Sequence, residues 1–118
     1  MPARALIVLN QSDASIAVAI ALKVAGYDTA NLCDPMIALD VLETTRRVEV
    51  LIANVHFGQG KPNGVSLAHM AKAKQPGIKV VLTDEADFAA FVDGVGEFLP
   101  APATLPEMVE AVQRLLPL

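Results

Sequence analysis

The sequence predicts a doubly wound α/β fold, a five-stranded parallel sheet with helices on both faces. Three observations carry that prediction. Short, mainly apolar runs recur at Ala5–Leu9, Val48–Ala53 and Ile78–Leu82, the first of them continuous, as a strand buried on both faces should be. Segments with helical spacing lie between the runs. Strict alternation of strand and helix, joined by right-handed crossovers, puts helices on both sides of one sheet.

The elements follow in order. After the first strand, Ala5–Leu9, Ser12 is placed to cap a helix that reaches Ala25 and stops at Gly26, a residue suited to a left-handed C-terminal cap. Tyr27–Leu32 is a weaker second strand, suited to a sheet edge. Asp34-Pro35 supplies a cap and a first-turn proline for a helix through Ile37, Leu39 and Leu42 to Thr45. Val48–Ala53 is the third and strongest strand, followed by the loop Phe57-Gly-Gln-Gly-Lys-Pro-Asn-Gly64. A helix from Val65 to Lys74 ends at Gln75-Pro76-Gly77. Ile78–Leu82 is the fourth strand, and Thr83 begins its exit loop. Asp84–Asp93 reads as a short helix closed by Gly94, and Glu97–Leu99 as a short fifth strand. Thr104-Leu-Pro-Glu107 has capping-box spacing, and the last helix runs to Leu116.

Composition excludes several function classes. At 118 residues, 53% of them hydrophobic, the chain suffices for one domain with a full core. Its net charge of -4 and scattered Lys and Arg argue against nucleic acid as a partner. The adjacent pair Arg46-Arg47 reads as a favourable charge at a helix end. The first apolar run is too short for a signal peptide or a membrane span, so no membrane association is expected. The single cysteine, Cys33, permits no intrachain disulfide; it fits a cytoplasmic location and reads as a small core residue. His56 and His69 lack metal-ligand spacing, and Gly58-Gln-Gly60 lacks the Lys-Ser or Lys-Thr pair of a nucleotide loop. Asn10–Ser15 contains no glycine for a phosphate cradle. No metal and no cofactor are expected. No nucleophile–base pair is evident, so the chain does not read as an enzyme.

In open parallel sheets, ligands bind beyond the carboxyl ends of the strands. The residues there are Leu9, Asn10 and Gln11, then Asn54, then Thr83 and Asp84, then Pro100, Ala101 and Pro102. With the tail Phe98-Leu-Pro-Ala-Pro102 and the turn Pro62-Asn-Gly64, the whole chain resembles a receiver domain of bacterial two-component response regulators. The resemblance implies flavodoxin-like winding with strand order 2-1-3-4-5. It also implies an acidic pair after the first strand, a phosphoacceptor Asp ending the third, a hydroxyl ending the fourth, and a Lys before a proline after the fifth. Here Leu9 and Asn10 stand at the acidic pair, Asn54 at the acceptor and Ala101 at the Lys. Thr83 keeps the hydroxyl, and Phe98 stands at the switch aromatic. The resemblance further implies a cis bond at Ala101-Pro102.

The chemistry of these replacements is direct. Phosphoryl transfer needs an anionic oxygen nucleophile, and an amide is none. A magnesium ion needs carboxylates, which Leu9 and Asn10 do not offer. The expected function is therefore that of a degenerate receiver, which works by phosphorylation-independent protein–protein interaction. A histidine kinase, a phosphotransfer protein, an output protein or a second copy would be the partner. The alternative is a nucleotide or flavin in the vacated pocket. Asp13 and Asp84 read as first-turn helix acids rather than metal ligands. From Ala14 to Ala25 only Ser15 and Lys23 are polar. The small apolar face expected there centres on Ala17 and Ala21, the candidate interface.

Overall fold

The computed structural model describes residues 4–44 and 47–118. Met1 to Ala3, Thr45 and Arg46 lie outside the described residues, and with them the expected end of the second helix and half of the Arg46-Arg47 pair. Five strands, β1 (Arg4–Val8), β2 (Asp28–Leu32), β3 (Val48–Asn54), β4 (Lys79–Asp84) and β5 (Glu97–Pro100), pair in parallel in the order β2-β1-β3-β4-β5. The winding reverses between β1 and β3, which opens a crevice at the carboxyl ends of those strands.

The helices are α1 (Ser12–Val24), α2 (Pro35–Thr44), α3 (Gly64–Lys74), α4 (Ala89–Val92) and α5 (Leu105–Leu115). Alternate strand residues face opposite layers. Leu6, Val8, Leu51, Ala53, Val80 and Leu82 pack toward α2, α3 and α4. Ala5, Ile7, Val50, Ile52 and Val81 pack toward α1 and α5. Both faces are covered, so the strands lack the polar alternation of a half-exposed sheet.

Several helix ends form as the sequence dictates. Gly26, at φ 105°, ends α1; its N–H donates to Lys23 O and that of Tyr27 to Leu22 O, a Schellman arrangement. The Asp34 carboxylate accepts from Met36 N at 2.9 Å and opens α2. Thr104 and Glu107 form the reciprocal capping box of α5. Other boundaries differ. Ser12 lies inside α1, whose N-cap position is Gln11, with no side-chain cap bond. Asn63, read from sequence as a turn residue, caps α3 by accepting from Ser66 N at 2.8 Å.

The largest difference is in β4, which runs on through Thr83 and Asp84, pairing them with Leu99 and Pro100 of β5. Asp84 is therefore a strand residue and not the start of a helix. The expected ten-residue helix shrinks to a 3-10 turn, Ala86–Phe88, and the single turn of α4. Cys33, expected in the core, is exposed. Phe57 starts the loop after β3, as expected, and its side chain is buried in the core.

Candidate functional site

Asn54 ends β3 in the centre of the crevice, opposite Thr83 of β4. Its Oδ1 accepts from the backbone N–H of Asn10 at 2.7 Å. Its Nδ2 donates to the carbonyl oxygen of Thr83 at 2.8 Å. The two backbone partners fix which end of the amide is which, since one is a donor and the other an acceptor. Asn54 thereby ties the ends of β1, β3 and β4 together. The Asn10 side chain adds a second tie, donating from Nδ2 to the carbonyl of His56 at 2.5 Å.

Asp84 supplies the carboxylate of the site. Its Oδ2 accepts from Val55 N at 3.1 Å and from His56 N at 2.9 Å. Its Oδ1 accepts from Glu85 N at 2.9 Å. Its backbone carbonyl accepts from Ala101 N at 2.8 Å. One residue thus joins the loop after β3 to the turn after β5. Sequence reading missed this role because Val55, His56 and Ala101 follow other strands, remote from Asp84 along the chain.

The remaining predicted positions divide. Thr83 is buried and Ala101 is exposed, and the Ala101-Pro102 bond is cis. Phe98 is half-buried against the core on the α3 side. Leu9 turns away from the crevice into the core formed with α1 and α5, so of the two positions after β1 only Asn10 bonds to the site. Asp13 is exposed in the first turn of α1. These residues do not fit a divalent cation: the Oδ1 of Asn54 and both Asp84 carboxylate oxygens already accept from backbone N–H groups, and Asn10 offers no carboxylate. Among the described residues no group of three His, Cys, Asp or Glu side chains is placed to hold a metal.

Gly64 sets the shape of the loop. A Cβ there would overlap the carbonyl oxygen of Asn54. The bare backbone instead lets Gly64 N donate to Val55 O at 2.7 Å. Lys61 pairs with Asp34 at 3.3 Å and ties the loop to the start of α2. The Met36 N–H, and then Lys61, hold the Asp34 carboxyl below its ordinary value. Beside the site the exposed His56 ring lies parallel to Phe88, with centroids 6.3 Å apart. A cleft of about 310 Å³ opens there between Val55, Asn63, Val65 and Phe91. A larger cleft of about 660 Å³ lies at the opposite end of the sheet, near Val48 and Ile78.

The outward stripe of α1 is not the one the alanines suggested. Ile16, Ile20 and Val24 are 48%, 59% and 83% exposed, whereas Ala17 and Ala21 are half-buried and Ala19 is buried. Residues four apart share a helix face, so the stripe follows the isoleucines.

No family model and no curated protein matches the sequence. Solved structures do match. A response regulator receiver protein from Sinorhizobium medicae is 19% identical with a TM-score of 0.85, over 98% of this chain and 94% of that one. The chemotaxis protein CheY4 of Vibrio cholerae is 18% identical with a TM-score of 0.83, over 98% of this chain and all of that one. NtrX from Brucella abortus, in complex with ATP, is 21% identical with a TM-score of 0.84; the match spans 98% of this chain and 27% of NtrX. The chain has the flavodoxin-like fold of response regulator receiver domains, with five parallel strands in the order 2-1-3-4-5.

Proposed function

We propose that this chain is a receiver-like module of two-component signalling that acts by protein–protein contact without taking up a phosphoryl group. The observation that carries the reading is the Asn54 amide, held at both ends by backbone groups of β1 and β4. A neutral amide spent on structure is neither a nucleophile nor a metal ligand. The chain is not an enzyme on this reading. Its partner is a kinase, a phosphotransfer protein, an output protein or a second copy, met in the cytoplasm. The apolar stripe Ile16, Ile20 and Val24 supports a contact through α1. No helix of the described residues is long and apolar enough to cross a membrane.

The test is capture of partners from a bacterial cytoplasm with the chain as bait, with and without acetyl phosphate. Equal capture of the same signalling protein is the expected result. Capture that depends on acetyl phosphate contradicts the reading. Small-ligand binding has one observation in its favour, the cleft beside His56 and Phe88. A nucleotide or flavin that raises the melting temperature would support that alternative.

A further inference from the structure

We propose that Asp84 is a tethered ligand: its carboxylate fills an oxyanion cradle made by the N–H groups of Val55 and His56, and that cradle accepts a phosphate- or sulfate-type oxyanion once the carboxylate is removed. Successive backbone N–H groups that converge on one point form an anion-binding concavity. Here two converge on the single atom Oδ2, at 3.1 and 2.9 Å. The peptide joining Val55 and His56 is polarised from its other side, because its carbonyl accepts from Gly64 N at 2.7 Å. A bonded carbonyl strengthens the N–H of the same peptide as a donor. The anion that satisfies the pair comes from the neighbouring strand and is half-buried.

The backbone of Asp84 makes the plug a fixture. Its carbonyl is held by Ala101 N at 2.8 Å, and its place in β4 pairs with Pro100. The side chain is therefore delivered to the cradle by the sheet and not by a mobile loop. An outside oxyanion would meet a negative charge already seated on the donors it needs. This inference deepens the reading above, on which it rests in taking the site as one that carries no external phosphoryl group.

The experiment follows the backbone amide resonances of Val55 and His56 while inorganic phosphate, and separately sulfate, is added at constant ionic strength set with chloride. In the wild-type chain neither resonance should move saturably. In Asp84→Ala both should move saturably, and their hydrogen exchange before addition should be faster by about tenfold or more, since each has lost its acceptor. Phosphate should then slow that exchange again. Asp84→Ser keeps a polar side chain too short to reach the cradle and gives the same reading if the alanine variant folds poorly. Saturable phosphate binding at these two amides in the wild type overturns the proposal. So does a folded variant whose two amides neither exchange faster nor respond to phosphate. Phosphoryl uptake by the wild-type chain would instead sink the functional reading, and mass spectrometry registers that independently of the titration.

Discussion

Asn54 shows how one substitution at a strand end changes what a site can do. Its amide supplies a donor to Thr83 O and an acceptor to Asn10 N, and no carboxylate can do both while ionised. Asn54→Asp should therefore destabilise the fold by about 1–3 kcal/mol at neutral pH, the cost of an unsatisfied partly buried group. The loss relative to wild type should shrink in acid, where a protonated carboxyl can again donate to Thr83 O. Urea denaturation of both proteins at neutral and acid pH measures this; equal stability at neutral pH would show that the amide bridge contributes nothing. The sequence made it legible that position 54 lacks a nucleophile. It did not show that the amide is used, because its partners Asn10 and Thr83 are remote in sequence. Asp84 was misread for a related reason. An acid just after an apolar run looks like a helix start, and only strand pairing with Pro100 reveals that β4 has not yet ended.

At the scale of single elements, α1 and α5 show where periodicity informs and where it misleads. Ala17 and Ala21 are four apart and share a helix face, but that face is half-buried, and Ala19 between them is buried. The four-residue spacing of Ile16, Ile20 and Val24 also defines a face, and that face is exposed. Ile20→Glu should change stability by no more than about 0.5 kcal/mol, as befits a solvent-facing site. It should abolish association if α1 is the contact surface. Light scattering for a self-pair and pull-down for a foreign partner check it; unchanged association by a folded variant removes α1 from the account. In α5 the capping box was legible because its spacing is local. Bonding to Thr104, first its backbone N–H and then its side chain, lowers the Glu107 pKa. A lowered folded-state value means stability that is present above the ordinary carboxylate range and lost as pH falls through the folded value. Glu107→Gln should therefore lower the melting temperature at neutral pH and make no difference in strong acid. A gap that persisted in strong acid would show that charge is not what the cap uses.

Across the whole molecule, the fold was legible because a parallel sheet covered on both faces writes itself as apolar runs separated by helical segments. The layers follow from that pattern and the handedness of crossovers, whereas the strand order was implied only by the resemblance to receiver domains. The site was legible only as a set of missing groups. What fills their place is a lattice of side-chain-to-backbone bonds from Asn10, Asn54 and Asp84 that joins the ends of β1, β3 and β4, with the backbone bond from Ala101 N to Asp84 O adding β5, and it has no local sequence signature. That lattice makes the crevice a structural joint that should accept no phosphoryl group. The most direct measurement is the intact mass of the wild-type chain after incubation with acetyl phosphate and magnesium. The mass should be unchanged from that of the untreated protein. A phosphoryl adduct that maps to Asn54, Asp13 or Asp84 would contradict it.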